Sequence, residues 1–220
     1  DFKLVVNIHE YYPKEFDDQN DWYSMGRYWD ELCKSFMSYV DLFLSVNESV
    51  SKSFIENFNL NPDSFLTFPN IKKFDELSIK NNQGHTINII HHGAAIPSRK
   101  IENMIEMMDY LPDNYVLTLM LLERNPDYLK YLKSIKSSKV KFIEPVDFTM
   151  ITKTLNNYDI GLYYLTPSNF NEENSLPNKF FEFIQARLGL AIGPSPDMAK
   201  LVNKYDCGFI SKDFSISSMV

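Results

Sequence analysis

The sequence has little that would tie it to a metal, a nucleic acid or a membrane. Two cysteines in 220 residues, Cys33 and Cys207, stand in separate segments, which excludes a disulfide framework and offers no metal-ligand spacing. Lys and Arg number 22 against 29 Asp and Glu, a formal net charge of −7, with no clustered basic tract. Such a chain lacks the electrostatic footprint for wrapping a nucleic-acid backbone, so no nucleic-acid partner is expected. The longest apolar run, Tyr115 to Leu122, is far short of the ~20 residues that cross a bilayer. The opening DFKLVVNIHE lacks the charge, apolar stretch and small-residue cleavage site of a signal peptide, and a cytoplasmic location is expected. The lone Gly93-Ala94-Ala95 is neither a P-loop nor a dinucleotide fingerprint. There is no internal repeat and no low-complexity tract. The first residue is not methionine, and the chain opens directly on a strand-like run; we expect a piece of something longer.

What is present is a globular pattern, 44% hydrophobic and 15% aromatic. A chain of this length buries roughly 70% of its unfolded surface, and it is generous for one domain and tight for two. Short β-branched and aromatic runs alternate with longer amphipathic stretches, the sign of βα units around a mostly parallel sheet. Strands are expected at 3–8, 41–46, 65–69, 87–92, 116–121, 140–143, 160–164, 190–193 and 208–210. Several are apolar almost throughout, as strands covered on both faces tend to be. Helices are expected at 21–39, 49–58, 99–110, 126–134, 148–156, 178–187 and 197–204, with Ser98 and Ser195 supplying N-cap chemistry. The polar segment Asn70 to His85, with its Asn-Asn-Gln-Gly, has no period and reads as an interdomain connection.

In open parallel sheets, ligands bind at the carboxyl ends of strands, where helix N-termini attract anions. Three loops qualify: His91 to Lys100, Ile143 to Val146, and the polar stretch Thr166 to Asn178. In the first, small residues allow close backbone approach to a ligand. Arg99 and Lys100 fall in an expected first helical turn, where basic residues oppose the helix dipole unless an anion binds. That favours a phosphate site over two solvated surface charges. In the third, Lys179 and Glu182 are three apart and share a helix face; an ordinary surface ion pair is the plainer alternative. Phe180, Phe181, Phe183 and Ile184 supply the apolar contacts that hold this helix on the sheet. His91 and His92 sit at a strand end with side chains on opposite faces, which argues against a shared metal and for one structural and one exposed histidine. Trp22, Tyr23, Tyr28, Trp29, Phe36 and Tyr39 recur at helical spacing, as core or interface aromatics do.

Pro177-Asn178-Lys179-Phe180-Phe181-Glu182-Phe183, followed by a small-residue turn, the strand LAIGPS and PDMAKLVNKYDCGF, resembles the donor-binding region of retaining GT-B glycosyltransferases, specifically glycosyltransferase family 4. INIIHHGAAIPSRKIENMIEMMDYLPDNYVLTLML resembles the first βαβ of that family's C-terminal domain, and VKFIEPVDFTMITKTLNNYDIGLYYL its later units. At the front, LVVNIHEYYPKEF resembles the late N-domain strand ending in His-Glu, and VDLFLSVNESVSKSFIENFNL the segment before the domain crossover. The matched segments cover most of residues 3–210, in order.

The resemblance implies an α/β fold of GT-B type: the back half of a Rossmann-like N-terminal, acceptor-side domain at 1–70, a linker at 71–85, and a Rossmann-like nucleotide-sugar-binding domain at 86–220. It implies a retaining transferase that moves a sugar from a nucleotide-diphosphate sugar to a glycan or lipid-linked acceptor, without metal or other cofactor. It leaves room for peripheral contact with the inner membrane surface, which the aromatic helix would suit. By position, Glu182 matches the second glutamate of the family's paired motif, which accepts the donor ribose hydroxyls, a task suited to a carboxylate. Arg99 or Lys100 matches the basic residue on the diphosphate, and Gly93 the glycine of the adjoining loop. His9 matches the histidine near the transferred sugar, and the backbone at Pro145 and Val146 the base-holding stretch. There are departures. Asn174 stands where the first glutamate belongs, with Glu172 and Glu173 beside it and Glu173 the candidate acid. Ala94 and Ala95 replace the usual arginine, so Lys179 is expected to take up part of the phosphate neutralisation. Two rival readings are a nucleotide-sugar 2-epimerase on the same architecture and a non-catalytic nucleotide- or partner-binding module.

Overall fold

The computed structural model describes residues 2–15, 22–79, 84–135 and 137–220. The expected start of the first helix at Asp21, the middle of the connecting segment at 80–83, and the side chains of Trp22 and Tyr23 lie outside the described residues. The chain forms two compact units, the first of residues 1–70, 167–176 and 195–197, the second of 71–166, 177–194 and 198–220.

The first unit is built on three parallel strands, β1 (Val5–Ile8), β2 (Leu42–Ser45) and β3 (Phe65–Thr67), in that spatial order. Helices α1 (Trp22–Phe36) and α2 (Glu48–Phe58) join them. Side chains alternate across a strand. Ile8 and Phe43 therefore meet Cys33, Met37, Val50 and Phe54 in one core. On the opposite face Val5 and Leu66 stay about half exposed. Helix α2 starts because Asn47 accepts a 2.8 Å hydrogen bond from the Val50 amide, and stops at Asn59 in the left-handed region, φ 51°.

The second unit holds six parallel strands, β4 (Ile87–Ala95), β5 (Tyr115–Glu123), β6 (Val140–Ile143), β7 (Ile160–Tyr163), β8 (Gly189–Ile192) and β9 (Gly208–Ile210), in the order β6-β5-β4-β7-β8-β9. This is the doubly wound order, whose direction of winding reverses between β4 and β7, the switch point where ligands bind. On one face α3 (Glu102–Glu106) and α4 (Pro126–Ser134) bury Met104, Ile105, Leu129 and Leu132 against Ile89, Leu117, Leu119 and Leu162. On the other lies a helix at Asn178–Gln185 whose Phe183 ring rests on Gly161; a Cβ there would stand 2.4 Å from the ring. The connecting residues 71–79 run along this unit. Lys72 donates to the Phe148 carbonyl at 2.9 Å, and Gln185 donates to the Lys72 carbonyl and accepts from the Asp75 amide.

Two expectations are corrected. The helix expected from Arg99 begins at Glu102, because Lys100 adopts the left-handed region (φ 46°) after a 3-10 turn at Pro97–Arg99. Arg99 and Lys100 are therefore not first-turn residues, and Ser98 is not a cap. The polar stretch before Asn178 contains the short helix Phe170–Glu173, capped by Asn169 accepting from the Glu172 amide.

Candidate functional site

The carboxyl end of β4 gathers several of the expected residues. Continuing the numbering, α5 is Ile151–Leu155, α6 is Phe170–Glu173 and α7 is Asn178–Gln185. Gly93 has φ +142°, a conformation that disfavours side chains. A Cβ at this position would stand 2.7 Å from Lys179 Nζ and 3.4 Å from Arg99 Nη1. The glycine is thus what lets two cationic groups close over the strand end. Arg99 also donates to the Ala94 carbonyl at 3.3 Å.

Lys179 is not a surface residue. Its stem is half-buried, but Nζ is enclosed with no hydrogen-bond partner among the described residues, 5.3 Å from the centre of the Tyr163 ring. Burial, with the Arg99 guanidinium second, pulls its pKa down from 10.5 to about 7, against an opposing pull from Glu182. Lys100 is exposed; the structure brings Arg99 to Gly93.

Glu182 is buried as well, and the surface ion pair with Lys179 is not formed. Its Oε2 lies 3.2 Å from His92 Nε2, with side-chain exposures of 4% and 8%. His92 stands edge-on to Phe183, ring centres 5.4 Å apart at 89°. Burial lowers the His92 pKa and the Glu182 contact partly offsets it. The expectation of one exposed histidine fails, because α7 covers the face that His92 occupies. His91 is buried too, its Nδ1 2.8 Å from the Leu162 carbonyl. Burial holds its pKa well below the usual histidine range. With the proton on Nδ1, it is a neutral structural histidine.

A cavity of about 290 Å³ opens at the ends of β5 and β6, and one of its lining residues, Leu121, is the register partner of Gly93. Leu119, Leu121 and Phe142 line it, and Glu144 and Pro145 form part of its wall. Val146 follows this wall, half-buried. Gly93, Arg99, Lys179, Glu182 and Val146 all belong to the second unit.

His9 and Glu173 belong to the first unit. The exposed His9 ring is bracketed by two asparagine amides, Nε2 3.0 Å from Asn7 Nδ2 and Nδ1 3.1 Å from Asn70 Nδ2. Glu173 is exposed at the end of α6. That helix is fixed by Asn171, which accepts from the Tyr11 amide at 2.7 Å, and by the Asn174 carbonyl, which accepts from Asn47. Asn174 is buried and its own amide donates to the Phe170 carbonyl. Among the described residues, no group of three or more His, Cys, Asp or Glu is placed to hold a metal, and no helix is long and apolar enough to cross a membrane.

Sequence reasoning gave His92 no functional role and did not single out Tyr163. Strand alternation places His92 opposite His91, and only the tertiary packing shows that α7 brings Glu182 to that face.

No protein-family model and no curated protein matches the sequence. Solved structures do. A mutant of S. aureus TarM in complex with fondaparinux, alpha-GlcNAc-glycerol and UDP superposes with a TM-score of 0.70 at 12% identity, covering 99% of this chain and 42% of that one. Anabaena HepE in complex with UDP and glucose gives 0.67 at 14%, covering 99% and 60%. A glycosyltransferase from Rickettsia africae gives 0.68 at 12%, covering 98% and 64%. The fold is of the GT-B type. The chain spans between two fifths and two thirds of the length of these GT-B structures, and identities this low establish the architecture alone.

Proposed function

We propose that this chain carries the donor-binding part of a retaining, metal-independent glycosyltransferase of family 4. It would move a sugar from a nucleotide-diphosphate sugar to a glycan or lipid-linked acceptor. The observation that carries the reading is the convergence of Lys179 Nζ and Arg99 on Gly93 at the switch point of the sheet. Neither cation makes an ion pair among the described residues, and Lys179 Nζ lacks any hydrogen bond. A buried ammonium without a partner is costly. An anion with two phosphates, seated over Gly93, would satisfy both groups at once.

In this reading Arg99 and Lys179 bind the diphosphate and Lys100 lies at its edge. Glu182 accepts the ribose hydroxyls, and the backbone at Val146 with the neighbouring cavity receives the base. As the bond from the anomeric carbon to the diphosphate oxygen breaks, the acceptor oxygen takes its place on the same face of the sugar. The acceptor's proton leaves with the released diphosphate. Negative charge grows on that diphosphate, and two fixed cations at a half-enclosed strand end stabilise it where it develops. His9 and Glu173 are assigned to the sugar. The UDP and glucose bound by Anabaena HepE and the UDP bound by TarM make UDP sugars the first donors to try.

One observation favours a second reading, a nucleotide-binding module without turnover. Asn174, at the position of the first motif glutamate, is buried and its amide is committed to the Phe170 carbonyl. Titration with UDP, GDP and ADP, followed by incubation with the matching sugar nucleotides, separates the two. Binding with slow release of free sugar supports the transferase, binding without release supports the module, and no binding of any nucleotide contradicts both.

A further inference from the structure

The donor reading leaves open which base the nucleotide carries, and the cavity at the ends of β5 and β6 bears on that choice. Residues paired across parallel strands project to the same face of a sheet. Gly93 pairs with Leu121, so Lys179 Nζ, which closes over Gly93, lies on the face to which Leu121 and this cavity belong. That ammonium is enclosed and has no hydrogen-bond partner among the described residues. A nucleotide whose diphosphate sits on it therefore reaches the cavity across a single strand. Among the lining residues Leu119 and Leu129 are buried, whereas Glu123, Lys133 and Glu144 are exposed. The inner wall is apolar and the rim is charged, two carboxylates to one ammonium. Glu123 ends β5, Glu144 follows β6, and Lys133 stands on α4. None of these three side chains has a hydrogen bond or an ion pair among the described residues.

We infer that this rim selects guanine, and hence a GDP-sugar as donor. Glu123 and Glu144 between them accept the N1–H and the 2-amino hydrogens of the base, and Lys133 donates to its 6-oxo oxygen. The inference rests on the reading of Gly93, Arg99 and Lys179 as the seat of the diphosphate. An apolar slot takes a planar heterocycle, and the few polar groups at its edge choose among heterocycles. Guanine presents adjacent N–H donors with one carbonyl acceptor beside them, the complement of carboxylates and an ammonium. Uracil presents a single N–H between two carbonyl oxygens, so a carboxylate that accepts its proton meets a repelling oxygen on either side. Adenine has an amino group beside a ring nitrogen that only accepts, and it has nothing to offer Lys133 at position 6. A hydrogen bond to a charged group is worth roughly tenfold in affinity or more, and a site built for a donor rejects the analogue that lacks it. The rim is open to water, which holds the expected preference for GDP over UDP near about tenfold. UDP still binds, through its diphosphate.

The test measures affinities of GDP, UDP, ADP and IDP, which is GDP without the 2-amino group, by calorimetry. The proteins are wild type, Glu123→Gln, Glu144→Gln, the double variant and Lys133→Met. All three positions are exposed, so the variants fold. Wild type binds GDP about tenfold more tightly than UDP, with IDP between them. Each glutamine variant reduces the preference, and the double variant brings GDP, IDP and UDP to within about twofold of one another. Lys133→Met narrows the margin of GDP over ADP and leaves that of GDP over IDP unchanged, since IDP keeps the 6-oxo group. Removing a negative charge near a diphosphate raises the affinity of every nucleotide by one factor, so the ratios decide. A wild type that binds UDP as tightly as GDP, or a double variant that keeps the wild-type ratios, overturns the inference and spares the donor reading. A wild type that binds none of the nucleotides overturns that reading and this inference together.

Discussion

Lys179 Nζ lies within 2.7 Å of the point where a side chain on Gly93 would begin. The missing Cβ at one position and the enclosed ammonium at the other are two halves of one arrangement, 86 residues apart in sequence. It forms where β4 reaches its carboxyl end and where α7 starts.

Replacing Gly93 with Ala should therefore act twice. The new methyl group collides with Lys179 Nζ, and φ +142° strains any side chain, for a combined cost on the order of 1–3 kcal/mol. Chemical denaturation should show that loss, and nucleotide affinity should fall more than tenfold as Lys179 is displaced. Unaltered affinity in a folded Gly93→Ala protein would show that Lys179 does not act from this position.

The same lysine sets a pH dependence of stability. In the unfolded chain its proton is held to about pH 10, whereas in the folded chain it is released near 7. Between those values the unfolded state binds the additional proton, so this group makes stability rise with pH from 7 toward 10 and has no effect on the slope below 7. Lys179→Met should be the more stable protein at pH 7, by on the order of 1 kcal/mol or about 2–4 °C in Tm. Its advantage should shrink by pH 9. An advantage that stays constant across this range would contradict the assignment.

Nucleotide binding should take up a proton above pH 7, because a diphosphate beside Lys179 restores the charged form. Calorimetry of UDP binding at pH 8 in buffers of different ionisation enthalpy should report uptake approaching one proton, and affinity should weaken from pH 7 to 9. Lys179→Met should bind more weakly and show no uptake.

Much of the fold was legible in the sequence, because short apolar runs separated by amphipathic stretches admit few arrangements other than parallel βα units. The switch-point loops followed from that, and with them Gly93 and Arg99 as candidates; Lys179 entered only through the family resemblance. The helix start at Arg99 was misread because a left-handed residue at Lys100 leaves no mark in hydrophobic periodicity. Helix α6 was hidden because its support comes from Asn171 bonded to Tyr11, 160 residues away. The depth of Lys179 and Glu182 was missed for a related reason: three-residue spacing shows that two side chains share a helix face, but not that the face is covered. The pairing of His92 with Glu182 is a tertiary fact with no local signal.

In the first unit, Asn47 holds two segments together, accepting from the Val50 amide at the start of α2 and donating to the Asn174 carbonyl at 2.7 Å. Asn47→Ala removes a helix cap and leaves buried backbone groups unpaired, and it should cost about 2 kcal/mol. Asn47→Ser, which keeps the cap alone, should recover part of this. Denaturation midpoints of the three proteins check the order, and an Ala variant as stable as Ser would contradict it.

The central claim is that Arg99 and Lys179 at the end of β4 form the seat for the diphosphate of a nucleotide. Its most direct measurement is a calorimetric titration of wild type, Arg99→Ala and Lys179→Ala with UDP, beside uridine as the ligand without phosphates. The account predicts that UDP binds wild type, that each substitution weakens UDP at least tenfold, and that uridine affinity is the same in all three proteins. UDP binding that survives both substitutions unchanged, or that falls in step with uridine, would contradict it.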